Sequence, residues 1–254
     1  MSKIFGKIRQ QLLKENRFSK YLMYVVGEVV LVVIGILIAL QINNWSEARK
    51  QSAEEQRLLS ALIEDFEENS IRIEAAISKE KDMITMSKSL IAAMQSDNQN
   101  VDKDSIRFWV ASGAKSWWQA QFVTGTYDAM VSSGKIDILK SDELKRVLSQ
   151  FAADIDSGFE DHNESINYLM EMNHISADVA PAIIHEVQRE ALDVSLSNKD
   201  LDEPIQKLIE NDTYLGLLIS KTWLETLRVD YQEKLQTYIA EILSICKTEL
   251  NQSS

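Results

Sequence analysis

The side chains best equipped for chemistry in this 254-residue chain are one aromatic concentration, three histidines and an acid within an apolar run. Trp109, Trp117, Trp118, Phe122 and Tyr127 fall close together. Rings at that density can stack on sugars or enclose an apolar ligand, and more often they pack a core or an interface; both readings stand. His162, His174 and His185, with Asp161, Glu164 and Glu186 beside them, carry metal-ligand atoms. Their spacings of twelve and eleven residues match no compact motif and no H-E-x-x-H occurs, so no metal and no cofactor is expected. There is no Gly-rich phosphate loop and no G-x-S-x-G elbow, and the expectation is a protein that is not an enzyme. A lone Cys246 supplies neither a disulfide framework nor a metal set; Ile242, Ile245 and Leu250 put it beside an apolar stripe, where a buried thiol is the common outcome.

The acid in the apolar run is Glu28. It interrupts Tyr21 to Ile42, YLMYVVGEVVLVVIGILIALQI, 22 residues that at about 1.5 Å each reach roughly 33 Å and so match the thickness of a bilayer. One acid costs about 2.5 to 3.5 kcal/mol there, and fourteen Val, Leu and Ile residues at about −0.3 to −0.6 each more than offset it. Glu28 reads either as a proton- or partner-sensing group or as an acid hydrogen-bonded within a helix pair. Gly27, Leu31, Gly35 and Ala39 recur every fourth residue, and Gly35-x-x-x-Ala39 would let a second helix approach closely. With Glu28, they form the expected association face. Tyr21, Tyr24 and Trp45 stand at the two ends, where amphipathic rings favour the headgroup layer.

The element that must position this segment is a basic arm. Residues 1–20 hold six cations (Lys3, Lys7, Arg9, Lys14, Arg17, Lys20) and one acid, a net +5. Beyond Ile42 stand 21 cations against 37 acids, a net −16. The side richer in Lys and Arg stays in the cytoplasm, so residues 1–20 are expected inside, 21–42 across the membrane and 43–254 outside. The exit, Ala39-Leu40-Gln41-Ile42-Asn43-Asn44, lacks an A-x-A cleavage site and reads as an uncleaved signal-anchor. Within the arm, Ile4, Phe5, Ile8, Leu12 and Leu13 share one helical face, the pattern of a helix lying on a lipid surface. An exterior this acidic disfavours nucleic acid.

Phe18 to Glu47, FSKYLMYVVGEVVLVVIGILIALQINNWSE, closely resembles the opening of a group of bacterial single-pass membrane proteins known only as a domain of unknown function, found mainly in Gram-negative bacteria. Thr126-Tyr127-Asp128, Ser132-Ser133-Gly134, Ile138-Leu139-Lys140 and Leu144 resemble that family's central block. Where the family usually has Trp-Asn-Glu, this chain has Trp45-Ser46-Glu47. The resemblance implies an inner-membrane anchor bearing a periplasmic helical domain, and it carries no activity and no catalytic residue with it.

The rest of the chain reads as all-α. From Glu47 to about Met94, Ile63, Ile77, Ile84 and Ile91, with Phe66, Ile73 and Met94 offset by three, follow a heptad-like pattern broken by Ser70, Glu80 and Ser87. No Gly or Pro intervenes, which predicts one helix continuous with the span. Thr124 or Thr126 caps a short helix, Gly134 fits a left-handed C-terminal position, and Ser141 caps the next. Leu144, Val147, Leu148 and Phe151 line one face of a helix expected to reach about Ile175, with a kink at Ser157-Gly158. Further elements are expected around Pro181 and from Pro204. A last helix from about Thr213 carries Tyr214, Leu217, Leu218, Leu224, Leu227, Tyr231, Leu235, Tyr238, Ile242 and Ile245 as its stripe. These elements predict an up-and-down bundle. The expected role is a scaffold or subunit of an envelope complex, partnered by the bilayer and by a second copy or another envelope protein; a ligand-sensing module and a cell-wall-acting enzyme are the alternatives.

Overall fold

A computed structural model describes residues 18–96, 101–157, 162–177, 191–193 and 202–252. All its regular elements are helices. Helix α1 spans Phe18–Gln95 without a break, as the absence of Gly and Pro after Gly35 permits. The chain divides into two compact units, Met1–Arg57 and Leu58–Ser254, and α1 contributes to both.

In the first unit α1 holds a window long and apolar enough to cross a membrane, none of it buried. Met23, Leu31 and Ile42 are 70%, 69% and 61% exposed. Gly27 and Gly35 have no side chain over them, Glu28 and Ala39 are exposed, Trp45 is exposed and Tyr24 half-buried. The basic arm through Arg17, and the side chain of Tyr21, lie outside the described residues.

The second unit is the bundle. After α1 come α2 (Lys103–Trp109), a π-helical turn (Val110–Ala114), α3 (Gly125–Ser132), a 3-10 turn (Lys135–Ile138), α4 (Asp142–Ser157), α5 (His162–Ile175), α6 (Asp202–Ile209) and α7 (Asp212–Gln252). Helix α4 is described to Ser157 and α5 from His162; the kink expected at Ser157-Gly158 falls at residues 158–161, which lie outside the described residues. The segment around Pro181, and residues 194–201, lie outside the described residues.

Ion pairs fix the directions of the long helices. Glu67 pairs with Lys247 and Lys81 with Glu233, so α7 descends as α1 rises. Arg146 pairs with Glu241 and Lys234 with Asp154, so α4 also opposes α7. Phe66 of α1 meets Phe151 of α4 with ring centroids 5.1 Å apart. This is the antiparallel packing predicted from the spacing of apolar residues.

The core falls into two clusters. One gathers Leu59 to Ile84 of α1, Leu144 to Phe151 of α4 and Val229 to Cys246 of α7. The other gathers Leu90 and Ala93 of α1, Ile106 of α2, Met172 of α5, Ile205 and Leu208 of α6, and Tyr214 and Leu218 of α7. Cys246 is buried in the first, and burial pushes its thiol up to about 12, out of reach of ready reaction. Gly134 adopts φ 70°, the left-handed corner that a residue without Cβ accepts most easily, and the Ser141 hydroxyl accepts from Leu144 N at 3.2 Å to start α4.

Candidate functional site

Between the two apolar clusters lies a layer of buried polar side chains. On α7, Lys221, Glu225, Arg228 and Gln232 are spaced four, three and four apart, which puts them on one face, and each is at most 2% exposed. Glu80 and Ser87 of α1 are fully buried opposite them. Arg228 Nη1 donates to Glu80 Oε1 at 3.3 Å and Gln232 Nε2 donates to Glu80 Oε2 at 2.5 Å. Lys221 Nζ donates to Glu225 Oε1 and, at 2.9 Å, to the carbonyl of Ser116. Two cations therefore meet two carboxylates in a space closed to water.

Burial is the main force on both acids. It pushes Glu80 up to about 7; Glu225 nearby adds to the rise, while Arg228, the hydrogen bond from Gln232 and Lys221 oppose it. Glu225 is also raised by burial, against the charge and hydrogen bond of Lys221 and the charge of Arg228. Taking such groups from water costs several kcal/mol apiece, repaid only with close partners, so the layer is a costly feature to place in a core.

Residues 116–124 form a strap without regular structure over this layer. Side chains of the long helices tie it down. Asn69, fully buried, donates from Nδ2 to Val123 O at 2.8 Å and accepts from Val123 N at 2.7 Å. Asp65 accepts from Thr126 N at 3.0 Å, and Lys221 holds Ser116. Lys79 Nζ sits 3.6 Å from the centre of the Trp118 ring. From Lys79 to Asn69 is ten residues of helix, about 15 Å, and the strap covers it between Trp118 and Val123 in five residues at about 3 Å each, close to full extension. The preceding turn enters tightly, since a Cβ on Gly113 would lie 2.7 Å from Met86 Cβ and 2.9 Å from Ser87 N.

The strap carries Trp117 and Trp118. Trp117 is half-buried, with the Arg228 guanidinium 5.7 Å from its ring centre; Trp118 is 41% exposed. Both border an open groove of about 460 Å³ with Arg72, Ala75 and residues 119–121, and a second of about 340 Å³ with Lys79, Asp82, Met83, Met86, Ser112 and Ser116. The other aromatics go elsewhere: Trp109 packs on the second apolar cluster, Phe122 and Tyr127 on the first, with Phe122 edge-on to Phe151 at 5.5 Å. The five rings thus serve three environments.

Among the described residues no group of three or more His, Cys, Asp or Glu could hold a metal. His174 lines a shallow pocket with Met170, Glu171 and Ile175, while Asp161, His185, Glu186 and the side chain of His162 lie outside the described residues.

The sequence pattern did not reveal the layer. Its stripe on α7 includes Leu227, which the structure leaves 43% exposed, while Lys221, Glu225, Arg228 and Gln232 hold the buried positions. The available signal was on α1, where Glu80 and Ser87 break the heptad pattern at the height of the layer.

Apolar window and all-helical bundle together define the class: a helical protein with a candidate span near its N-terminus. The model of a family of unknown function (DUF6090) matches residues 28–178, more than half of the sequence, and the chain belongs to that family. No curated protein and no solved structure matches it.

Proposed function

We propose that this protein is a membrane-anchored binding subunit of the bacterial envelope, with residues 21–42 in the inner membrane, the basic arm in the cytoplasm and the bundle in the periplasm. The observation that carries this is the unburied apolar window of α1. Fourteen large apolar side chains from Leu22 to Ile42 stand in the open, and lipid is the solvent in which such a surface is stable. The excess of cations before the window argues for an inward N-terminus. On α7 a second uncovered face, Ile219, Trp223 and Leu227, recurs every fourth residue and is 43%, 61% and 43% exposed, which supports docking of another envelope protein or of a second copy.

The test uses single cysteines in intact and lysed spheroplasts. Native Cys246 is buried and stays silent, so Ser2→Cys and Asn251→Cys report the two ends with a membrane-impermeant maleimide. Labelling at 251 in intact spheroplasts and at 2 only after lysis is expected, with the protein retained in the membrane at alkaline pH. Release by alkali, or the reverse labelling, overturns the reading. Cross-linking from a cysteine at Trp45 then separates a second copy from another protein.

A ligand-sensing module is the second reading, favoured by the two grooves that meet at Trp117 and Trp118. Trp118→Ala tests it: loss of the cellular phenotype with unchanged stability supports a ligand platform, and an unchanged phenotype removes it.

A further inference from the structure

The strap is extended like a strand, and its side chains alternate accordingly. Ala120 is buried and Phe122 packs on the first apolar cluster, while Gln119 is half-buried and Gln121 exposed. Its backbone alternates as well. Ser116 O accepts from Lys221 of α7, whereas Gln121 O stands 3.5 Å from Arg72 Nη1 of α1 and Val123 O and N meet Asn69 of α1 at 2.8 and 2.7 Å. Backbone groups two residues apart face the same side of an extended chain, so those of Gln119 are turned to α1 along with those of Gln121 and Val123. On that side the groove of about 460 Å³ opens beside Arg72 and Ala75. Among the described residues, no hydrogen bond engages the backbone of Trp118, Gln119 or Ala120, or the N–H of Gln121.

We propose, resting on the ligand-platform reading of Trp117 and Trp118, that this groove binds an extended peptide segment of a partner protein, which adds as a second strand along the strap and sets an acidic side chain against Arg72. An unpaired, extended edge is a template for such pairing: main-chain hydrogen bonds give the affinity and flanking side chains choose the sequence. The strap needs no ordering when the peptide arrives, because Lys221 holds it at Ser116 and Asn69 at Val123. From Trp118 to Gln121 the edge runs about 10 Å, at about 3.3 Å per residue, enough for about four residues of peptide. Charge selects the acid. The lining of the groove holds Arg72 and no carboxylate, in a sequence whose formal charge is −12. Glu68 takes Arg72 Nε at 2.7 Å, and among the described residues Nη2 has no partner. Lys79, over the Trp118 ring, adds a second cation at one end.

The experiment pans a phage-displayed library of random octapeptides on the full chain in detergent micelles and measures the selected peptides, made synthetically, by fluorescence anisotropy. They are expected to share an Asp or Glu, and changing that acid to its amide should weaken binding to the wild type while leaving binding to Arg72→Gln unchanged. N-methylation along the peptide backbone should weaken binding about tenfold at every second position only, as a one-sided strand ladder requires. Gln119→Pro, which suits an extended backbone and removes the N–H, should weaken it about as much, and Gln119→Ala, which keeps the N–H, should not. The N-methyl series needs no variant protein and decides the matter if Gln119→Pro does not fold. No enriched peptide, a pool without a shared acid, or N-methyl losses without the alternation overturns the proposal. If no peptide binds while Trp118→Ala still abolishes the cellular phenotype, the grooves hold a ligand of another class, such as a glycan, and the peptide assignment alone falls.

Discussion

Asn69 acts as a strand would: its amide gives the strap at Val123 both a donor and an acceptor, at 2.8 and 2.7 Å. Asn69→Ala leaves two backbone groups without partners at a part-buried position, each worth about 1 to 3 kcal/mol. A loss of about 3 kcal/mol is expected from guanidinium unfolding of the full chain followed by far-UV circular dichroism, with faster exchange at 117–123. Asn69→Asp keeps the acceptor and loses the donor, so it should fall between. Glu80 and Arg228 obey a different rule, because each is costly to bury and more costly to leave alone. Arg228→Met by itself should destabilise by about 3 to 5 kcal/mol, whereas adding Glu80→Leu should recover most or all of that loss, as apolar replacement of a buried pair commonly does. A double variant no better than Arg228→Met would show that Gln232 and Glu225, not Glu80, hold the arginine.

At the scale of elements, the legible part came from backbone physics. A run with no Gly or Pro from Ile36 to Gln95, carrying apolar residues at helical spacing, has no breaker to end its helix, Gly134 marks a left-handed corner, and Ser141 can cap only the helix that begins beside it. The unread part of α7 had two competing stripes at helical spacing. Ile219, Trp223 and Leu227 form one, of which the expected stripe took only Leu227, and Lys221, Glu225, Arg228 and Gln232 the other, which an apolar pattern passes over. A Lys–Glu pair four residues apart is the ordinary mark of a solvated face. The pattern is inverted by a carboxylate on α1, 148 residues before Arg228, and by a strap carbonyl at Ser116, neither of which is local in sequence. The aromatic concentration divides for a related reason: rings close in sequence diverge once the π-helical turn and the extended strap carry them past different clusters. That turn makes its own prediction. Gly113→Ala must push a Cβ into Ser87 N, which is backbone and cannot swing aside, so a cost of about 1 to 3 kcal/mol is expected in the same unfolding assay. Gly125→Ala, with nothing within 4 Å, should be neutral or slightly stabilising.

For the whole molecule the layer sets how stability depends on pH, and the sign runs against the common acid-denaturation pattern. A carboxyl raised from 4.5 to about 7 binds its proton more tightly in the folded chain than in the unfolded one. The folded state then holds the extra proton between those values, so unfolding free energy falls as pH rises through that window and levels off above it. A displacement of this size corresponds to about 3 kcal/mol from Glu80. The formal charge of −12 adds repulsion in the same direction as the remaining acids ionise. Guanidinium titrations of the full chain at pH 5, 6, 7 and 8 are therefore expected to show midpoints that decline toward pH 7 and then flatten. Glu80→Gln should remove most of the slope while leaving the small part due to net charge. A wild-type midpoint that climbs from pH 5 to 8 would mean that exposed ion pairs such as Glu67–Lys247 and Lys81–Glu233 govern the molecule, and that the buried carboxylate is compensated by its partners far better than its burial implies.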